Sequence, residues 1–296
     1  MTPAAVGAGV PAAVPRPAKP LVRQDSIAVM VGDMIESRDL YVVGDVHGHL
    51  GTLMAALHRA GLTDPDGGWT GGDAHLWFLG DYVDRGADGL AVIDLVMRLT
   101  AELPEQVHAL LGNHEILMLG KHRWDDTLAP TVTGTASFAR SWARNGGQAA
   151  DIDGLTAAHV DWLATRPVAG LADDHLLVHS DTISYLDYGD TVEEVNKTFA
   201  EALASDDLGA WWECWRRLTT RYAFRGQNGT ENAEALLSTL GGTVVVHGHS
   251  TIPEQADLLP WQVEGPFPYA DGLALNVDGG IYLGGPCLVV PLPFEP

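Results

Sequence analysis

This 296-residue chain reads as an α/β protein with α+β character: two stacked mixed β-sheets flanked by helices. Short apolar runs stop abruptly at a glycine and a polar residue, and helical periodicity follows the first three of them. Near the C-terminus two such runs are joined by a tight Asp-Gly-Gly segment, as in a hairpin. A hydrophobic content of 46% is enough to fill one large core.

The first unit is Leu40-Tyr41-Val42-Val43, ending at Gly44-Asp45, with a helical stripe through Leu50, Leu53, Met54 and Leu57. The second, residues 75–79, ends at Gly80-Asp81, and Leu90, Ile93, Leu95, Val96 and Leu99 carry its helix. The third, residues 107–111, ends at Gly112-Asn113, with a helix over 114–119. Groups at the carboxyl ends of strands in such a sheet gather in one crevice.

From about 120 to 172 the pattern changes. Trp124, Phe138, Trp142 and Trp162, the bases Lys121, Arg123, Arg140 and Arg144, and a Gly146-Gly147 break suggest a mostly helical cap insertion over the site. Strands resume at 175–179 and 244–246, the latter ending at His247-Gly248-His249. Between them Trp211, Trp212 and Trp215 stand at helical spacing and read as packing. Residues 273–277 and 281–283 read as the hairpin, followed by Leu288-Val289-Val290. Residues 1–36, rich in Ala, Pro, Gly and Val, read as a flexible lead-in to one catalytic domain over 37–296.

Composition limits the partners. A formal net charge of −22 repels polyanions, which argues against nucleic acid and against an anionic membrane surface. No apolar stretch is long enough to span a bilayer, and the start lacks a secretion signal, so the expected location is cytoplasmic. Cys214 and Cys287 form no CxxC pair and read as small buried apolar residues.

The strand ends together carry chemistry: Gly44-Asp45-Val46-His47-Gly48, Gly80-Asp81-Tyr82-Val83-Asp84-Arg85-Gly86, Gly112-Asn113-His114-Glu115, His179, Arg225-Gly226 and Gly248-His249-Ser250. Two divalent cations need hard oxygens, neutral imidazoles and a bridging anion. Asp45 and His47 can reach one metal from a single turn, Asp81 can bridge, and Asn113, His179 and His249 can complete the second. A donor set without thiolate suits manganese first, with iron or zinc as alternatives. Arg85 and Arg225 offer planar forks for phosphate oxygens, with Asn113 beside them. His114 is placed to protonate a leaving alkoxide, Asp84 to orient its ring, and Glu115 to support the site by hydrogen bonds. Tyr282, on the expected hairpin, could approach the phosphate, though a hairpin tyrosine is more often packing. Water activated by the metals would attack phosphorus directly.

The series Gly-Asp-x-His-Gly, Gly-Asp-x-Val-Asp-Arg-Gly and Gly-Asn-His-Glu resembles the phosphoprotein phosphatase branch of the calcineurin-like metallophosphoesterases. Gly71-Gly72-Asp73-Ala74-His75-Leu76 and Leu111-Gly112-Asn113-His114-Glu115 look like the bacterial Shewanella-like phosphatases, and the resemblance covers about residues 40–290. It implies a metal-dependent phosphoric monoester hydrolase, with phosphoserine, phosphothreonine or phosphotyrosine in a phosphoprotein or phosphopeptide as substrate. It implies the same metal ligands, with His114 as acid and Arg85 and Arg225 as phosphate-binding arginines.

Two departures stand out. The family usually has His-Gly-Gly where this chain has His179-Ser180-Asp181, an extra carboxylate beside the second metal. Its Gly-His-Thr-Pro becomes Gly248-His249-Ser250-Thr251, with Pro253 further on. Of the two nearby histidines, His249 matches the family ligand and His247 reads as its support. The alternative enzyme is a diadenosine tetraphosphate or other nucleotide hydrolase, in which Trp142, Arg140 and Arg144 would hold adenine and extra phosphates. A binding module on an inactive scaffold is the non-enzymatic reading.

Overall fold

The computed structural model describes residues 39–131 and 134–294; the lead-in expected over 1–36 lies outside them. In chain order the described strands are β1 (Leu40–Val43), β2 (His75–Phe78), β3 (Val107–Ala109), β4 (Ala129–Thr131), β5 (Gly134–Ala136) and β6 (Ala169–Ala172). Then come β7 (His175–Val178), β8 (Val244–His247), β9 (Phe267–Tyr269), β10 (Ala274–Asn276) and β11 (Val289–Leu292). The α-helices are α1 (Leu50–Arg59), α2 (Gly89–Glu102), α3 (Asn113–Trp124), α4 (Phe138–Arg144) and α5 (Ala149–Asp153). They continue with α6 (Ala157–Ala164), α7 (Val192–Ala204), α8 (Leu208–Leu218), α9 (Gly229–Leu240) and α10 (Ile252–Ala256).

One sheet has the order β11-β1-β2-β3, with β1 to β3 parallel and β11 antiparallel to β1. The other has the order β6-β7-β8-β10-β9, parallel through β7, β8 and β10 with an antiparallel strand at each edge. Side chains alternate across each strand, so one face meets the sister sheet and the other meets helices. Leu40, Val42, Val290 and Leu292 pack against Leu177, Val246 and Leu275 between the sheets. Val43, Leu76 and Phe78, with Leu176, Val178 and Val245, turn outward into the helix-covered core.

The helices follow their apolar spacing. In α2 the buried Val92, Ile93, Val96 and Leu99 recur three and four apart, which makes one face. Trp211 and Trp212 of α8 are buried as packing, with Phe138 5.2 Å from the Trp212 ring. Cys214 and Cys287 are buried and free. No described helix is long and apolar enough to cross a membrane.

Two expectations need correction. Residues 281–283 are a short 3₁₀ turn, and the antiparallel partner of β10 is β9. Asp278 Oδ1 accepts the Gly280 amide (2.9 Å), while Gly280 and Gly284 take φ of 73° and 92°. Glycine enters that left-handed region at little cost, so the chain curls here and does not extend. The segment assigned to the insertion also ends early: β6 pairs with β7 as an edge of the main sheet. What lies between α3 and β6 is the β4-β5 ribbon and helices α4 to α6.

Candidate metal centre

The strand ends converge because their loops are stitched together by main-chain bonds. The amides of Val46 and His47 donate to the Asp81 carbonyl (3.0 and 2.8 Å), and Gly48 donates to Tyr82 (2.7 Å). Gly248 donates to the His179 carbonyl (2.9 Å), and the His249 amide crosses between sheets to Asp45 Oδ1 (2.9 Å). A Cβ on Gly112 would fall on the Asp81 carboxylate, and one on Gly248 would strike Asp45, so only glycine allows these approaches. His47, Asp81 and His249 have φ of 44°, 55° and 67°. Each such residue costs about 1–2 kcal/mol. Those bonds, together with Glu115, hold them there. Glu115 is wholly buried and accepts the amides of Asp81 (2.8 Å), Tyr82 (2.7 Å), Val83 (3.4 Å) and Gly112 (2.9 Å).

The structure brings Asp45, His47, Asp81, Asn113, His179 and His249 around one buried space. His47 Nε2 lies 3.6 Å from Asp45 Oδ2 and 3.5 Å from Asp81 Oδ2. His179 Nε2 lies 3.3 Å from Asp81 Oδ1 and 2.9 Å from Asn113 Oδ1. The His249 ring centre is 4.9 Å from that of His179. Asp81 belongs to two donor groups, one with His47 and His114 and one with His179 and His249, each with its donor atoms within 4.8 Å of one another.

The ring orientations suit cation binding. His47 Nδ1 donates to the Val83 carbonyl (2.9 Å) and His179 Nδ1 to Leu79 (3.0 Å), which turns each Nε2 lone pair inward. In His249 the inward atom is Nδ1, with Nε2 3.2 Å from the Thr219 carbonyl. His47 Nε2, Asp81 Oδ2 and His249 Nδ1 are buried without a hydrogen-bond partner among the described residues. Buried polar atoms left in that state are costly, and two cations sharing Asp81 would satisfy all three.

The charges agree with that arrangement. Burial, then His179 and Arg221, push His249 well below the usual imidazole range and so favour the neutral ring that ligates. Burial opposes the charge on Asp45, but His47, His179 and His249 outweigh it and hold the carboxyl below its ordinary range. Burial and the neighbouring Asp45 and Glu115 raise Asp81 instead, a repulsion that bound cations would relieve.

Beside this space His114 Nδ1 meets Asp84 Oδ2 at 2.7 Å, and the Trp142 indole N–H donates to Asp84 Oδ1 (2.8 Å). Burial is the largest cause pushing Asp84 up to about 8, and burial with His47 and Arg85 drives His114 down. Arg85 Nη2 sits 3.2 Å from His114 Nε2, and its guanidinium covers the Tyr282 ring at 3.8 Å. Tyr282, read from sequence as packing, therefore holds Arg85 at the site. The Arg85 amide is braced by the Gly146 carbonyl (2.7 Å) and the Asp84 amide by Asp151 Oδ2 (3.2 Å), both from the insertion.

Arg225 needs correction. It is exposed, donates to the Gln255 carbonyl (3.2 Å), covers Tyr222, and lines a surface depression with Phe267, Tyr269 and Asp271. Arg221 takes the inner place instead: its Nε lies 3.1 Å from His249 Nε2, and its charge bears on Asp45, His179 and Asp278. Sequence reasoning missed Arg221 because Phe224-Arg225-Gly226, four residues later, matches the family's aromatic-Arg-Gly segment. It also missed Asp278, which is buried with Oδ2 unpartnered beside Asp45. Asp278-Gly279 follows an apolar strand just as Asp45 and Asp81 do, a signal hidden by the hairpin reading. His247 turns away and accepts the Tyr269 hydroxyl (2.7 Å), leaving His249 at the centre.

The family model described as calcineurin-like phosphoesterase matches residues 39–253. A symmetrical bis(5'-nucleosyl)-tetraphosphatase of Bordetella pertussis is 30% identical over 157 residues, 52% of this chain and 47% of that protein. The serine/threonine-protein phosphatase BSL2 of Arabidopsis thaliana is 40% identical over 77 residues, 25% of this chain and 7% of its own. The chain spans about half the length of the tetraphosphatases it matches, at 47%. The cold-active protein-tyrosine phosphatase of a psychrophilic Shewanella shares the fold at TM-score 0.64 and 20% identity, over 86% of this chain and 75% of that one. With the family model covering most of its length, the chain belongs to the calcineurin-like phosphoesterases.

Proposed function

We propose that this protein is a metal-dependent phosphomonoester hydrolase acting on phosphorylated side chains of proteins, with two divalent cations, manganese first, at the Asp81-centred site. The observation that carries the reading is the His114–Asp84 pair set beside Arg85 and three unpartnered ligand atoms in one buried space. When bound, such cations polarise phosphoryl oxygens and lower the pKa of water. Arg85 and Arg221 bind the phosphoryl oxygens, Arg85 held flat by Tyr282. His114, oriented through Nδ1 by Asp84, is placed to hand a proton from Nε2 to the leaving oxygen once substrate draws the Arg85 guanidinium away from that nitrogen. Trp142 keeps Asp84 in that orientation.

Trp142 also supports the first substrate class over a nucleotide. It is 9% exposed with its N–H committed to Asp84, so it is not an open platform for adenine. The likeness to tetraphosphatases over 157 residues favours nucleotide hydrolysis as the second reading. Metal-defined protein should be offered phosphopeptides, an aryl phosphate and dinucleoside tetraphosphate side by side. Turnover of phosphopeptide over tetraphosphate supports the first reading; the reverse preference replaces it with the second.

A further inference from the structure

We infer that Asp181 is a positioning residue that holds Arg221 against the metal centre, by a strap running from its carboxylate to Ser250 and to the main chain at Tyr222. The inference rests on the phosphate-binding role proposed for Arg221. Asp181 is fully buried two residues after His179, where the family usually carries glycine. Its carboxylate is engaged on both oxygens: Oδ1 accepts the Ser250 hydroxyl (2.6 Å) and Oδ2 accepts the Tyr222 amide (2.9 Å). Its carbonyl also accepts the Ala223 amide (2.9 Å). The two places where this chain departs from the family pattern, Asp181 and Ser250, thus hydrogen-bond each other.

What the strap grips is the segment carrying Arg221. Tyr222 sits at φ 66°, a conformation a bulky aromatic residue adopts only when its surroundings impose it. Two bonds to Asp181 flank that residue, so they fix the direction in which the preceding Arg221 leaves the chain. Ser250 follows His249, and Arg221 Nε meets that same ring at 3.1 Å. Asp181 therefore ties the arginine loop and the His249 loop to the His179 loop, setting the guanidinium relative to two candidate ligands. Both its oxygens already have partners, so its part is to fasten the loops.

The test is a double-mutant cycle on metal-loaded protein, read by calorimetric binding of inorganic phosphate and, separately, by aryl phosphate turnover. Asp181→Asn should weaken phosphate binding and raise KM by about tenfold, the scale of one lost charge-assisted hydrogen bond, with metal content unchanged. Added to Arg221→Ala, it should change phosphate affinity no further, because the group it positions is gone. Ser250→Ala, which deletes one arm of the strap, should move phosphate affinity in the same direction and again have no effect beside Arg221→Ala. Wild-type phosphate affinity in Asp181→Asn, or an equal loss with and without Arg221, would overturn the inference. Should Asp181→Asn fail to fold, the Ser250→Ala pair decides by the same criterion. If wild type and variants bind phosphate as expected yet hydrolyse no phosphoester, the functional reading falls while the strap stands.

Discussion

Glu115→Gln swaps two atoms of similar size at the most constrained point of the site, and its cost can be worked out from the bonds. Oε2 receives the amides of Asp81 and Gly112, and Oε1 those of Tyr82 and Val83. Glutamine must turn an NH₂ toward one of these pairs, so two buried amides face a donor where an acceptor stood. Each unsatisfied donor costs about 1–3 kcal/mol. Relief comes from the other side: burial has already pushed Glu115 up to about 7, so a neutral replacement escapes part of a desolvation penalty. The balance is a loss of about 2–4 kcal/mol, or roughly 5–12 °C in Tm for a domain of this size. Because the same amides fix Asp81 in its left-handed conformation, metal content should fall with stability. Calorimetry on the metal-free protein and elemental analysis after reconstitution measure the two effects. A Tm within about a degree of wild type with full metal occupancy would show that the four amides are not held by this carboxylate.

Other outcomes are equally specific. Trp142→Phe removes the donor to Asp84 together with part of a buried ring and should lower kcat by about tenfold with little change in KM, checked by steady-state kinetics on an aryl phosphate. Arg221→Ala should raise KM for that substrate by about tenfold or more while Arg225→Ala stays within about twofold; the opposite ranking would return the phosphate role to Arg225. Chelation should abolish hydrolysis and lower Tm, and manganese at about one hundred times its Kd should restore about 2.7 kcal/mol of stability by linkage. An unchanged Tm across that titration would mean the unpartnered atoms bind no cation.

Much of this molecule is legible in the chain because strand ends are marked twice, by the close of an apolar run and by a glycine that lets loops touch. Asp45, His47, Asp81, Asn113 and His249 follow that grammar, His179 closes an apolar run without the glycine, and the structure gathers all six. Arg221 does not: it leaves an irregular segment whose path depends on Asp181, forty residues earlier, and no local pattern carries that information. The hairpin reading failed for a related reason. Residues 281–283 are a short apolar run of strand-prone composition, but the flanking glycines and the Asp278 carboxylate curl the backbone first. The cap boundary was misjudged because a four-residue edge strand has too few residues to declare its period.

The candidate ligands are divided between the two sheets: Asp45, Asp81 and Asn113 follow strands of one, His179 and His249 strands of the other. Their spacing is therefore governed at a distance by the apolar seam where Val42 and Val290 meet Leu177 and Val246. A side chain trimmed in that seam, remote from any reacting atom, would let one half of the ligand set drift against the other. Cations bound across the divide would in turn clamp the halves together, so the amides of both sheets should exchange hydrogen more slowly once the metals are in place.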